Sequence, residues 1–370
     1  MRRSSRHAAT LVLLVSVTLA AAGRANASTP SGFVVFPSPA VPNAELSGVS
    51  ASGPSDAWAV GTVTVGSSTK GLIEHWNGTA WSRVTPAVLN GVSLNAVDAV
   101  SHNLAWAAGD DAGENGLILR WNGTSWTKLN AHAPGQYLDG VAGAGTDAWA
   151  VGTNGGAWWS ESWNGTTWTH DTVVNQSADY FAGVSSVVAV SASNVWEAAS
   201  QTFDGGGLDT NASMVHWNGT HWTTTMVGGT NGSPAGITAA GPSSLWAAGT
   251  WQKEGEYYPR GAIQPAIWHS TGGAWTFTKP FAPYTTDHYL TAVAAPTSSD
   301  VWAVGFRYST GPSTRTLIVH WNGSAWSDLG GPNVGTGDNE LDGITAVPGS
   351  NTQAWAVGFD GTSSLILHHP

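Results

Sequence analysis

The chain has 370 residues, with 22 tryptophans, 47 glycines and no cysteine, and only 10% of its residues are charged. Its formal net charge is −11 with Lys and Arg dispersed; such a chain cannot neutralise a phosphate backbone, which argues against nucleic-acid and anionic-membrane partners. Without cysteine there is no disulfide framework, so an exported protein of this kind must be held by its core, and a chain of this length can bury one.

The first residues read as an export signal. Arg2, Arg3 and Arg6 precede an apolar run, Ala8 to Ala22, that is too short to span a bilayer. Ala25-Asn26-Ala27 has the small-x-small form of a signal-peptidase site. The expectation is a signal peptide over 1–27, read by general secretion or, from Arg2-Arg3, by the twin-arginine route that the following residues fit less well, and a secreted domain over 28–370. Losing Arg2, Arg3, Arg6 and Arg24 changes the formal charge from −11 to −15. No second long apolar run follows, so no membrane span is expected.

After the short apolar segment Phe33 to Pro39, one pattern repeats to the end of the chain. Asp56-Ala57-Trp58-Ala59-Val60-Gly61 recurs around Trp106, Trp149, Trp196, Trp246, Trp302 and Trp355, a mean spacing of 49.5 residues. A second motif, Trp76-Asn77-Gly78-Thr79-Ala80-Trp81, recurs from Trp121, Trp163, Trp217 and Trp321. In repeat five it reads as degenerate, Trp268 to Trp275, with two extra residues. Each repeat predicts four short strands. The first is small and apolar, as in Leu94 to Val97. The second carries Trp-Ala-Val-Gly. The third is Leu72 to Trp76 and its equivalents. The fourth starts at the last tryptophan of the hairpin motif. Asn-Gly between two strands is a strong hairpin signal because both residues tolerate positive φ. Repeats of this length made of four strands predict an all-β, seven-bladed β-propeller of four-stranded antiparallel blades. The last repeat ends at strand three, and Phe33 to Pro39 aligns with strand four. The N-terminal strand is therefore expected to complete the final blade.

The period and the four-strand unit resemble kelch and galactose-oxidase central-domain propellers, and the strand-three-to-four turn resembles the hairpin of Asp-box propellers. The chain is most similar to secreted bacterial proteins built of Trp-Ala-Val-Gly and Trp-Asn-Gly-Thr-x-Trp repeats. The resemblance implies the fold over the whole mature chain. Galactose oxidase itself needs a cysteine–tyrosine cross-link beside copper, which a chain without cysteine cannot make.

Nineteen of the 22 tryptophans fall on repeat positions and read as framework. Trp159 aligns with Leu72 and joins them, which leaves Trp158 and Trp251 as extras. His75, His216, His320 and His368 share one strand-three slot and also read as framework. Asn77, Asn122, Asn164, Asn218 and Asn322 head glycosylation-type sequons but read as turn residues. Function is expected where the repeat is broken, on the strand two-to-three and four-to-one loops, which share one face of a meander. The elaborated segments in repeats four to six carry Phe203, Asp204 and Asp209; Trp251, Tyr257, Tyr258 and Arg260; Tyr284, Asp287, His288 and Tyr289; and Arg307, Tyr308 and Arg315. From these, Trp251, Tyr257, Tyr258, Arg260, Tyr284, His288, Arg307 and Tyr308 are the candidate ligand-binding residues. Aromatic platforms beside Arg, Asp and His suit sugar stacking or a protein epitope. Arg260, Arg307 and Arg315 raise the option of a carboxylate clamp. Asp110, Asp111 and Glu114, or Asp338, Glu340 and Asp342, offer oxygen ligands for Ca²⁺; no other cofactor is expected. The leading expectation is a monomeric, non-catalytic recognition propeller for an extracellular glycan or protein. The alternative is a polysaccharide hydrolase or lyase using loop carboxylates such as Asp204, Asp209, Glu254, Glu256 and Asp287.

Overall fold

Each repeat folds into one antiparallel sheet in the computed structural model, which describes residues 31–39, 41–130, 135–154, 157–171, 180–204, 208–252, 261–281, 283–309, 311 and 313–370. Blade 1 sets the pattern as a meander of Ala44–Gly53, Asp56–Val65, Ser68–Trp76 and Trp81–Val84. Blade 7 consists of Glu340–Ala346, Ala354–Phe359, Ser364–His369 and, at its edge, Val34–Val35, which runs antiparallel to Ser364–His369. Seven such sheets stand in a ring, a seven-bladed β-propeller. The one helical element among the described residues is a 3-10 turn, Ala87–Leu89.

Strand one lines the axis, and every strand one bulges at the same place, between Leu46 and Gly48 in blade 1 and at the equivalent pair in the other six. The bulge brings strand-one backbone against the glycine of Trp-Ala-Val-Gly, where a Cβ on Gly61 would collide with the Glu45 carbonyl. It also presents one residue per blade to the next blade. Asn95 donates to the Leu138 carbonyl (2.9 Å), Ser185 to that of Pro234 (2.6 Å) and Thr291 to that of Leu341 (2.7 Å).

The blades are joined by tryptophan. Trp58 of strand two packs on Trp121 (4.9 Å between ring centroids) and edge-on to Trp126 (5.1 Å) of blade 2. Trp106 meets Trp163 and Trp168 in the same way, Trp246 meets Trp321 and Trp326, and Trp355 meets Trp76 and Trp81 across the blade 7–blade 1 junction. The strand-three histidine stacks on the same strand-two indole, as His75 on Trp58 (4.1 Å) and His320 on Trp302 (3.9 Å). Each fully buried Trp removes about 150–250 Å² from water, roughly 4–6 kcal/mol before entropy. Strand three has no exposed face, and Leu117, Ile118 and Leu119 are all 0% exposed, because neighbouring blades cover both sides of the sheet.

Two sequence expectations about the hairpin are corrected. In Trp76 to Trp81 the two tryptophans pair, which leaves a four-residue loop, and only Gly78 takes a positive φ, of 91°. Asn77 acts through its side chain instead: Oδ1 accepts from Thr79 N (3.0 Å), Thr79 Oγ1 (2.7 Å) and Ala80 N (3.0 Å). Repeat five has no two-residue insertion. Ser270 pairs with Trp275 as Trp76 pairs with Trp81, and Trp268 lies two residues earlier in strand three, opposite Ala247. His269 then falls in the histidine slot, stacked 3.6 Å from Trp246, so five histidines, not four, occupy that position. Trp158 is not an extra either. It is buried between blades 3 and 4 and donates to the Ser200 carbonyl (3.3 Å).

Candidate recognition surface

The strand two-to-three and four-to-one connections lie at one end of the blades, opposite the hairpin turns. Three of the four exposed large apolar side chains among the described residues, Val65 (54%), Tyr137 (41%) and Tyr308 (44%), stand at strand ends on this face. A pocket of about 600 Å³ opens there between blades 1 and 2, lined among others by Lys70, Asn90, Asp110, Asp111 and Glu114.

The structure gathers four side chains from repeats five and six at one point. Tyr284 donates its hydroxyl to Asp328 Oδ2 (2.9 Å), and Arg307 Nη1 binds the same oxygen (3.1 Å). The Tyr284 ring stacks on His288 at 3.7 Å and 7°. His288 is 4% exposed and is bonded through Nδ1 to the Thr286 carbonyl (2.8 Å). Burial, with the Arg307 charge nearby, lowers its pKa and keeps the imidazole neutral. Burial and the adjacent Asp328 carboxylate raise the Tyr284 pKa, so the phenol stays protonated. On the opposite face of the same two strands Tyr289 stacks on Phe306 (4.8 Å), and Tyr308 meets both rings edge-on at 6.3 Å. The rim of blade 6 thus carries a fixed charge–phenol pair on one face and an aromatic shelf on the other.

Other candidates are placed differently. Trp251 is partly buried and carries Lys279 Nζ 3.3 Å over its ring, a cation–π pair that occupies one face of the indole. Tyr257, Tyr258 and Arg260 lie outside the described residues, as do Glu254 and Glu256. In repeat four the segment around Asp204 and Asp209 is not a free loop: strands Asn194–Asp204 and Leu208–Trp217 extend to meet there. Arg315 does not join Arg307 in a clamp; it donates to the carbonyls of Gly337 (2.6 Å) and Thr314 (2.9 Å). Asp287 accepts from Ile263 N (2.8 Å) and ties its segment to the one that enters strand Gln264–Thr271.

The calcium candidates are likewise used by the fold. Asp111 Oδ1 accepts from Gly113 N, Asn115 N and Asn115 Nδ2, Asp110 accepts from Leu138 N and Asn95 Nδ2, and Asp338 accepts from Thr314 N. Among the described residues no group of three or more His, Cys, Asp or Glu is placed to hold a metal ion.

Several polar features were not legible beforehand. Asp328 is the hinge of the blade 6 network, and a single acid in a hairpin strand carries no pattern. A central channel of about 930 Å³ is lined by strand-one residues including Asp98, Asp139 and Asp342. Asp98 bridges blades there, accepting from Ser50 Oγ (3.1 Å) and Gly143 N (2.8 Å), and burial raises its pKa. Between blades, Glu74 and Glu197 are both 0% exposed. Burial pushes their carboxyls up to about 7 and about 8, and Ser160 Oγ donates to Glu197 (2.8 Å). The signal in the sequence was an acid in a slot that is apolar in most repeats, Glu74 against Leu119 (repeat three has Glu161 there) and Glu197 against Ala107.

No family model and no curated protein matches this chain. Among solved structures it is similar to the WD40 repeats of RRP9, with a TM-score of 0.60 at 12% identity, over 93% of this chain and 98% of that one. It is similar to YCF48 bound to D1 peptide, with a TM-score of 0.52 at 16% identity over 91% and 96%. The GH74 xyloglucanase from Xanthomonas campestris matches with a TM-score of 0.58 at 16% identity, over 89% of this chain but 53% of the enzyme. At these identities the likeness is one of fold.

Proposed function

We propose that this protein is a secreted, non-catalytic recognition propeller that binds an extracellular glycan or protein through the face carrying its unequal loops. The observation behind this reading is the placement of the exposed aromatics. Tyr308, with Tyr289 and Phe306 beneath it, stands at the rim of blade 6 toward blade 7, the Arg307–Asp328–Tyr284 network lies on the opposite face of the same strands, and both are at the end where the repeat is least regular. Such an arrangement supplies a rigid apolar platform at the rim of a blade whose other face is fixed by an ion pair, which suits a sugar ring or a protein side chain. Propellers of this fold include one solved with a peptide bound, YCF48 with D1 peptide, in keeping with a binding role. The loop carboxylates that the alternative hydrolase reading needs are, for Asp287, engaged in tying two segments together.

The test is a binding screen of the protein over glycans and secreted proteins, read for both retention and turnover. Tyr308→Ala should lose binding about tenfold or more while unfolding like wild type. Release of a shortened glycan by the wild-type protein would instead establish a hydrolase or lyase.

A further inference from the structure

The junction between blades 4 and 5 differs from the other six. Elsewhere the strand-two tryptophan is covered: Trp58, Trp106, Trp149, Trp246, Trp302 and Trp355 are 0–4% exposed. The cover is usually the first tryptophan of the next hairpin, as Trp121 covers Trp58, Trp163 covers Trp106, Trp321 covers Trp246 and Trp76 covers Trp355. At the blade 6–blade 7 junction His369 and Phe33 close over Trp302. At the blade 4–blade 5 junction the covering position is Ser270, and Trp196 is the strand-two indole that stays partly exposed.

The missing side chain leaves a pocket of about 380 Å³ on the hairpin-turn face. Its floor is Trp196, held flat by His216 stacked at 3.9 Å and 14°, and its walls include Leu245, Pro242 and Ser270. The pocket also keeps the acceptor that an indole uses at this position. Trp76 Nε1 donates to the Pro54 carbonyl (3.0 Å), Trp121 Nε1 to that of His102 (3.1 Å) and Trp217 Nε1 to that of Ala192 (3.2 Å). The equivalent carbonyl in blade 5 is that of Pro242, which lines the pocket and receives one long bond, from Asn194 Nδ2 at 3.3 Å, leaving a second lone pair. The rim amides have little to offer a sugar. Asn194 Oδ1 already accepts from His216 Nε2 and Trp196 Nε1, and Asn218 Oδ1 accepts from Thr220 N, Thr220 Oγ1 and His221 N.

We propose that this pocket binds an indole ring, which lies against Trp196 and donates its N–H to the Pro242 carbonyl, as the chain's own tryptophans do in blades 1, 2 and 4. The site is on the face opposite the unequal loops, so it stands or falls separately from the recognition reading above. The probes are free indole, N-acetyl-L-tryptophanamide and, as counter-probe, methyl β-glucopyranoside, followed by calorimetry and ligand-observed saturation-transfer NMR. Saturable one-site binding of both indoles is expected, with weakening of about tenfold or more in Ser270→Trp, which refills the pocket from within. If Ser270→Trp fails the folding check by circular dichroism, Ser270→Leu and Trp196→Leu carry the test with the same expectation. A short peptide bearing one tryptophan that binds much more tightly than free indole assigns the ring to a partner chain; equal affinity assigns it to a free small molecule. No saturable indole binding, undiminished binding by the folded variants, or binding of the glucoside in place of indole overturns the proposal.

Discussion

Two blade junctions built from the same repeat show how far a single displaced side chain reaches. Where blade 1 meets blade 7, the strand-three slot next to the turn holds Trp76 and the slot two residues inward holds Glu74. Where blade 5 meets blade 4, the same two slots hold Ser270 and Trp268. The indole has moved inward by one strand repeat and stayed on the same sheet face, since residues two apart point the same way. Trp268 is 0% exposed there and donates to the carbonyls of Val227 (3.0 Å) and Gly228 (3.1 Å) of blade 4. One junction thus has a sealed surface over a buried acid, and the other an open surface over a dry, bonded indole. Burial strength and surface access are set by which of two adjacent slots receives the large ring.

The largest expected effect separates the junctions by their strand-two tryptophans. Trp355 lies among Phe36, Trp76, Trp81 and His368, so Trp355→Ala should destabilise by about 3–5 kcal/mol. Trp196→Ala, with one face open, should lose roughly half of that; urea unfolding of both variants measures the gap, and equal losses would break the comparison. Next comes the buried acid. A carboxyl at about 7 in the folded protein and near 4.5 unfolded binds more protons when folded between those values. Its favourable contribution is therefore complete below about pH 4.5 and disappears as pH rises through about 7, and Glu197 extends the same trend to about 8. Stability should fall by on the order of 2–3 kcal/mol from pH 5 to pH 8 through Glu74, with Glu197 adding a fall of at least that order. Glu74→Leu should remove a large part of that fall and stabilise the protein at pH 8, as thermal unfolding across pH would show. Smaller again, Ser270→Trp should gain about 1 kcal/mol by covering Trp196. The smallest effect is expected from Asp328→Asn. Its ion pair with Arg307 is partly exposed, so stability should change by less than about 1 kcal/mol, while binding through the loop face weakens as Arg307 and Tyr284 lose their common anchor.

The fold was legible because it is written seven times. Trp-Ala-Val-Gly at a near-constant interval and the Trp-Asn-Gly-Thr-x-Trp hairpin specify strands and turns locally, and the blades follow. The candidate surface was legible only in part. Tyr284, His288, Arg307 and Tyr308 were found because they interrupt the repeat, and the structure brings the first three together with Asp328. Asp328 itself could not be found this way, since a single acid at the end of a hairpin strand carries no pattern. Trp251 was overrated: an aromatic on an irregular segment says nothing of the Lys279 that covers it. Repeat five misled for a related reason. A tryptophan near its usual spacing invites an insertion, whereas strand pairing keeps the register and moves the side chain.

The sequence by itself determined the class of fold, the number of blades and the residues that make each turn, because those depend on local pattern and period-two alternation. Only the tertiary structure decided which indoles are sealed, where the buried carboxyls lie and which junction stays open at Trp196. These depend on contacts between blades some fifty residues apart, where the neighbour across the gap, not the neighbour in the chain, sets exposure and charge.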